Sequence, residues 1–79
     1  MKLKIRYFGM LAEITNMEFE CIEVDENIGA FMLKDLLEEK YNQFSKINYK
    51  VAVNENIIET DMNLNMDSEI ALLPPFAGG

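Results

Sequence analysis

Residues 2–8, Lys-Leu-Lys-Ile-Arg-Tyr-Phe, alternate between polar and apolar positions. Leu3, Ile5 and Tyr7 fall on one side of an extended chain, and Lys2, Lys4 and Arg6 on the other. That period of two predicts a half-buried strand. Gly9 ends it, and residues 9–17 read as a connection. A second strand is predicted over residues 18–24, Glu-Phe-Glu-Cys-Ile-Glu-Val. Its apolar residues change phase, Phe19 and Cys21 on one side and Ile22 and Val24 on the other, which a β-bulge would reconcile. The two strands predict an N-terminal hairpin, although no Asn-Gly turn joins them.

Asp25, Glu26 and Asn27 offer N-caps for a helix over roughly 29–42. Leu33, Leu36, Leu37 and Tyr41 share one helical face, while Glu38, Glu39 and Lys40 face solvent. The run from Ile28 to Leu33 is almost continuously apolar. Extra core is the expected use of that run, with a partner-facing patch as the alternative. Residues 49–54 are strand-like, Asn54-Glu55-Asn56 a turn, and Ile57-Ile58 a short strand. Leu64 is an isolated apolar plug in a polar loop. Residues 69–73, Glu-Ile-Ala-Leu-Leu, carry apolar residues in both phases, the mark of a central strand. One main helix packed on one face of a mixed sheet makes the fold α+β. First and last strands that are both central and adjacent give the β-grasp, ubiquitin-like arrangement.

Composition narrows the picture. The chain has 79 residues, 49% of them hydrophobic, enough for one packed core without disulfides. A single domain over residues 1–75, followed by a flexible tail over 76–79, is expected. With 14 acidic against 7 basic residues, the net charge is −7. Nucleic-acid binding relies on cations that neutralise phosphates, so nucleic acid is not an expected partner. The row Lys2, Lys4, Arg6 reads as a solvated strand face, and the acidic balance suits a partner with a basic docking surface. No apolar run approaches the roughly 18 residues of a membrane span. Cys21 is the single cysteine, which fits a reducing compartment and a cytoplasmic location.

Side-chain chemistry is sparse. The chain has no His, the commonest general base and metal ligand. No Gly-rich phosphate loop or nucleophile elbow is present, and no metal site is expected. Glu18, Glu20, Glu38 and Glu39 read as solvated surface, and Cys21 as small core filler rather than a nucleophile. No constellation supports a self-contained active site. The unusual feature is the ending Leu72-Leu73-Pro74-Pro75-Phe76-Ala77-Gly78-Gly79. Pro74 and Pro75 stop the last strand and form a stiff spacer. Gly78-Gly79 presents no side chain to a narrow channel. Its carboxylate is therefore placed for another protein's active site. Phe76, with few neighbours in so small a domain, is a candidate anchor for a partner's pocket.

This chain resembles the small subunits of molybdopterin synthase, the sulfur carriers of molybdenum-cofactor synthesis. The resemblance spans essentially the whole chain. It rests on Tyr7-Phe8-Gly9 with Leu11-Ala12-Glu13, on Val51-Ala52-Val53-Asn54, on Leu64, and above all on the Pro-Pro-x-x-Gly-Gly ending. Ala12 stands where that family usually has Arg, and Asp67-Ser68-Glu69 where it has Gly-Asp-Glu. The resemblance implies a carrier cycle. An E1-like adenylating enzyme uses ATP to activate the Gly79 carboxylate, and sulfur then replaces AMP to give a thiocarboxylate. The tail, Pro74, Pro75, Phe76, Ala77 and Gly78, enters the large synthase subunit, where sulfur adds to cyclic pyranopterin monophosphate. The assembly it implies is a heterotetramer, and no cofactor is bound by the carrier itself. Alternatives are a carrier for another acceptor such as the thiamine thiazole, a ubiquitin-like modifier of lysines, and an interaction domain with an inert tail.

Overall fold

The computed structural model describes residues 1–75, which run β1 (Lys2–Tyr7), α1 (Met10–Thr15), β2 (Phe19–Glu23) and α2 (Ala30–Lys40), then a 3₁₀ turn at Asn42–Lys46, β3 (Lys50–Val53), β4 (Asn56–Ile57) and β5 (Ile70–Leu73). The five strands form one sheet in the order β2-β1-β5-β3-β4. β5 lies centrally, parallel to β1 with Tyr7 opposite Leu72, and antiparallel to β3 with Val51 opposite Leu72. The predicted hairpin forms, β1 against β2 antiparallel. The connection at residues 9–17 contains the short helix α1, whose Leu11 is fully buried. Four apolar residues in six had no second turn to establish a helical period.

The alternation in β1 is realised: Leu3, Ile5 and Tyr7 are buried, and Lys2, Lys4 and Arg6 exposed. Ile70 and Leu72 of β5 and Val51 and Val53 of β3 join them on the inner side of the sheet. α2 covers that side with Ala30, Leu33 and Leu37. Phe44 of the 3₁₀ turn is fully buried, and Tyr7, Tyr41 and Tyr49 surround it with ring centroids 5.0–5.9 Å away. Such aromatic pairs add roughly 0.5–1.5 kcal/mol each beyond area burial.

Several sequence expectations are corrected. β2 has no bulge, and its register against β1 is unbroken from Lys2–Glu23 to Arg6–Phe19. Glu20 and Ile22 face the helix and Phe19, Cys21 and Glu23 face outward, because Glu20 finds partners inside. Cys21 is therefore exposed rather than core filler. Leu36, Phe31 and Met32 are exposed too, so only Ile28, Ala30 and Leu33 of the apolar run enter the core. The helix cap does not come from residues 25–27. Gly29 occupies the N-cap without a side-chain bond, and Asp61 Oδ1 accepts from the Phe31 N–H at 3.0 Å. The same loop is held by Ala30 N–H to Met62 C=O and Leu64 N–H to Ile28 C=O, both 2.8 Å, with Leu64 buried as the predicted plug.

Candidate functional site

The site is the rim where the chain leaves β5. Leu72 is buried beneath the sheet, while Leu73, on the opposite side, is half-buried. Pro74 is half-buried and Pro75 exposed, so the spacer begins on the body and turns into solvent within two residues. Phe76, Ala77, Gly78 and Gly79 lie outside the described residues.

The anchor for Pro74 comes from the other end of the sequence. Because β1 runs parallel to β5, Tyr7 ends level with Leu72, which brings Phe8-Gly9 beside the spacer. Gly9 has φ 56° and ψ −131°, a conformation that favours glycine strongly. A Cβ at Gly9 would lie 2.9 Å from Pro74 Cγ. Gly9 is thus required twice, by its backbone angles and by the proline ring. Phe8 and Met10, on either side of Gly9, are both more than 40% exposed and frame the exit.

The uncovered side of the sheet extends from this rim. Lys2, Lys4, Arg6 and Lys50, four of the seven basic residues, project from it. Lys4 sits over the ring of Phe19, 4.1 Å from its centroid. A shallow groove lined by Lys4, Arg6, Phe8, Glu69 and Ala71 crosses this side. Apolar Phe8, Leu73 and Ile57 share the surface with those cations. Cations are therefore concentrated on this side, among apolar residues and three acids, Glu23, Glu55 and Glu69. Phe8 was legible as a signal: it is apolar in the outward phase of β1.

The other ionisable cluster lies across the sheet. Tyr7 and Tyr41 both donate to Glu20 Oε1, at 2.7 and 2.8 Å, and Lys40 pairs with Oε2. Burial works against ionisation of Glu20, but the bonds from Lys40, Tyr7 and Tyr41 outweigh it and hold the carboxyl below its ordinary value. Burial, then the Glu20 hydrogen bond, pushes the Tyr7 hydroxyl far up and that of Tyr41 up to about 12. Glu20 was expected on the surface. It joins β1, β2 and α2 instead, and every member is satisfied, which makes it a structural brace rather than a reaction site. Glu38 is likewise engaged, accepting from Tyr49 at 2.7 Å. Among the described residues, no group of three or more Cys, Asp or Glu is placed to hold a metal ion, and no helix is long and apolar enough to cross a membrane.

Comparison with known proteins agrees with this geometry. The chain is 29% identical, over 99% of its length and 94% of the other's, to the human molybdopterin synthase sulfur carrier subunit. Its fold matches a molybdopterin converting factor subunit 1 from Pyrococcus furiosus, with TM-score 0.85, 20% identity and coverage of 95% and 98%. It also matches a chain in the complex of subunits 1 and 2 of the molybdopterin-converting factor from Helicobacter pylori, with TM-score 0.69, 27% identity and full coverage of both chains. These solved structures are β-grasp folds, as the strand order here already requires. The ThiS family model matches residues 5–79, from the middle of β1 to Gly79, and the chain belongs to the ThiS family.

Proposed function

We propose that this chain is the sulfur-carrier subunit of a molybdopterin synthase, and that its working group is the carboxylate of Gly79. The observation that carries the reading is the exit itself. A central strand ends in Pro74-Pro75, with Pro74 packed on Gly9 and Pro75 exposed, and the sequence continues from there to a side-chain-free Gly78-Gly79, while no metal-binding cluster is found among the described residues. The likeness to the human carrier over 99% of the chain supports it.

The chemistry follows from what a carboxylate lacks. Its oxygens are poor leaving groups, so an adenylating enzyme supplies ATP: the Gly79 carboxylate attacks the α-phosphorus and pyrophosphate departs. A sulfur nucleophile then displaces AMP and leaves a thiocarboxylate, an anionic sulfur at neutral pH that resembles a thiolate. In the large subunit this sulfur adds to cyclic pyranopterin monophosphate. Attack of water on the acyl carbon frees the sulfur and restores the carboxylate. The carrier binds no cofactor in this scheme. The basic, apolar side of the sheet around Phe8 and Leu73 docks against the large subunit while the tail enters its pocket, and a dimer of large subunits with a carrier at each end forms a heterotetramer.

Intact mass spectrometry of the protein from its native host tests the chemistry. The carrier gains the mass of one sulfur in place of one oxygen. Deleting Gly79 abolishes sulfur transfer and leaves the thermal midpoint unchanged. Full pterin conversion by the shortened chain, or isopeptide-linked species in place of the thiocarboxylate, would overturn the reading.

A further inference from the structure

β2 forms one margin of the sheet, and its pairing with β1 fixes which backbone groups remain free. The Tyr7 N–H donates to the Glu18 C=O at 2.9 Å, and the Val24 N–H to the Met1 C=O at 2.8 Å. Mutually bonded and unbonded pairs alternate along an antiparallel ladder. In this register Glu18, Glu20, Ile22 and Val24 turn their N–H and C=O groups toward β1. Phe19, Cys21 and Glu23 turn theirs outward, where no described residue bonds to them.

Beside this margin, on the helix side of the sheet, a groove runs between β2 and α2. Its walls include Ile22, Val24, Leu36 and Leu37, and Leu36 is exposed at a helix position that contributes nothing to the core. Glu23 lines its margin, and exposed Asp25 and Glu26 follow Val24 in the chain, as exposed Glu39 precedes Lys40. Lys40, the cation beside the groove, is tied to Glu20. An unpaired edge next to an apolar groove takes one kind of occupant, a strand that bonds the edge while its alternate side chains enter the groove.

We infer that this margin receives an extended segment of a partner protein, apolar at alternate positions and carrying basic residues. Charge selects that partner over a second copy of the chain. Two copies would bring together the same acidic borders, each on a molecule of net charge −7, whereas lysines on an incoming strand complement them. The groove opens on the helix side, opposite the side that carries Phe8 and Leu73. β1 also separates β2 from β5, which sets the margin about 10 Å from the strand that feeds the tail. The segment and a partner engaged with the tail are therefore accommodated together.

The test uses the full chain and a short synthetic peptide alternating valine with lysine. A peptide of the same composition with its lysines grouped at one end serves as control. Amide shifts and hydrogen exchange are read residue by residue. The alternating peptide shifts the Phe19, Cys21 and Glu23 amides and slows their exchange, and the grouped peptide does not. Cys21→Pro deletes the outward donor, a change that edge strands accept because the lost N–H faced solvent. Leu36→Glu places a charge in the groove at an exposed position. Each weakens peptide affinity by about tenfold or more. Equal binding of both peptides, shifts confined to the Phe8 side, or unchanged affinity in folded Leu36→Glu would overturn the proposal. A concentration-dependent dimer in sedimentation without peptide protection of the edge would assign the margin to a second copy and overturn it as well.

Discussion

Glu20 shows how a single carboxylate can be read two ways. By type and by its place in an alternating acidic strand it belongs outside, and the regular pairing of β2 nevertheless turns it inward. The two tyrosine hydroxyls and Lys40 make that tolerable, and nothing in the local pattern announces them: Tyr7 and Tyr41 are 13 and 21 residues away. The same regular pairing sends Cys21 outward, so one misassigned residue carried its neighbour with it. The energetic consequence is a pH dependence. The folded carboxyl lies below its unfolded value, near 4.3. The stability it contributes is present in full above that value and is lost as pH falls through the folded pKa. Glu20→Gln is expected to lower stability at neutral pH by about 1–3 kcal/mol, mostly through the tyrosine bonds. The bond to half-exposed Lys40 adds little. Chemical denaturation at pH 7 and again at pH 3 checks this. The gap between wild type and variant should narrow at the lower pH, and a gap of constant size would show that packing rather than charge sets it.

At the scale of elements, the central strands were legible because their burial is written in the sequence itself. β1 alternates and β5 is apolar in both phases, and the sheet pairs them side by side. The helix start was less legible. Its cap, Asp61, reaches across from a loop thirty residues on, and long-range contacts leave no trace in a local window. The β3–β4 turn lies between these cases. Its position follows from Asn54-Glu55-Asn56, but its conformation carries a hidden cost. Asn54 and Glu55 both have positive φ, 51° and 71°, as a two-residue hairpin of the I′ type demands. Asn accepts that region readily. Glu does not, and a non-glycine residue there loses roughly 1–2 kcal/mol. Asn54 is further fixed by its side chain, whose Oδ1 accepts from the Glu69 N–H at 3.0 Å. Glu55→Gly should therefore raise stability by about 1 kcal/mol, less what glycine adds to the entropy of the unfolded chain. A thermal or denaturant midpoint that falls instead would mean that the Glu55 side chain supports the turn.

At the scale of the whole molecule, charge is segregated in a way the net value conceals. Eight of the fourteen acids lie between Glu18 and Glu39, on or beside β2 and α2, while four of seven cations lie on the uncovered side of the sheet beside the tail exit. Sequence totals cannot reveal such a division, since it arises only when β1 and β3 are laid in one sheet with β5 between them. A large-subunit surface that receives this side should be apolar at its centre and acidic at its rim. Phe8 separates that reading from a purely structural one. It is 42% exposed, so replacing it removes little internal packing, yet it stands at the rim that Gly9 and Pro74 define. Phe8→Asp is expected to leave the thermal midpoint nearly unchanged and to weaken binding to the large subunit by about 2 kcal/mol or more, the scale of a central aromatic anchor. The cations on the same side act mainly on encounter. Raising salt should slow association and affect dissociation less, since exposed charges are screened beyond about 8–10 Å. Both quantities come from one set of binding kinetics on wild type and variant, with midpoints measured alongside. A lowered midpoint with unchanged affinity would assign Phe8 to the protein's own core. The docking surface would then have to be sought elsewhere on the molecule.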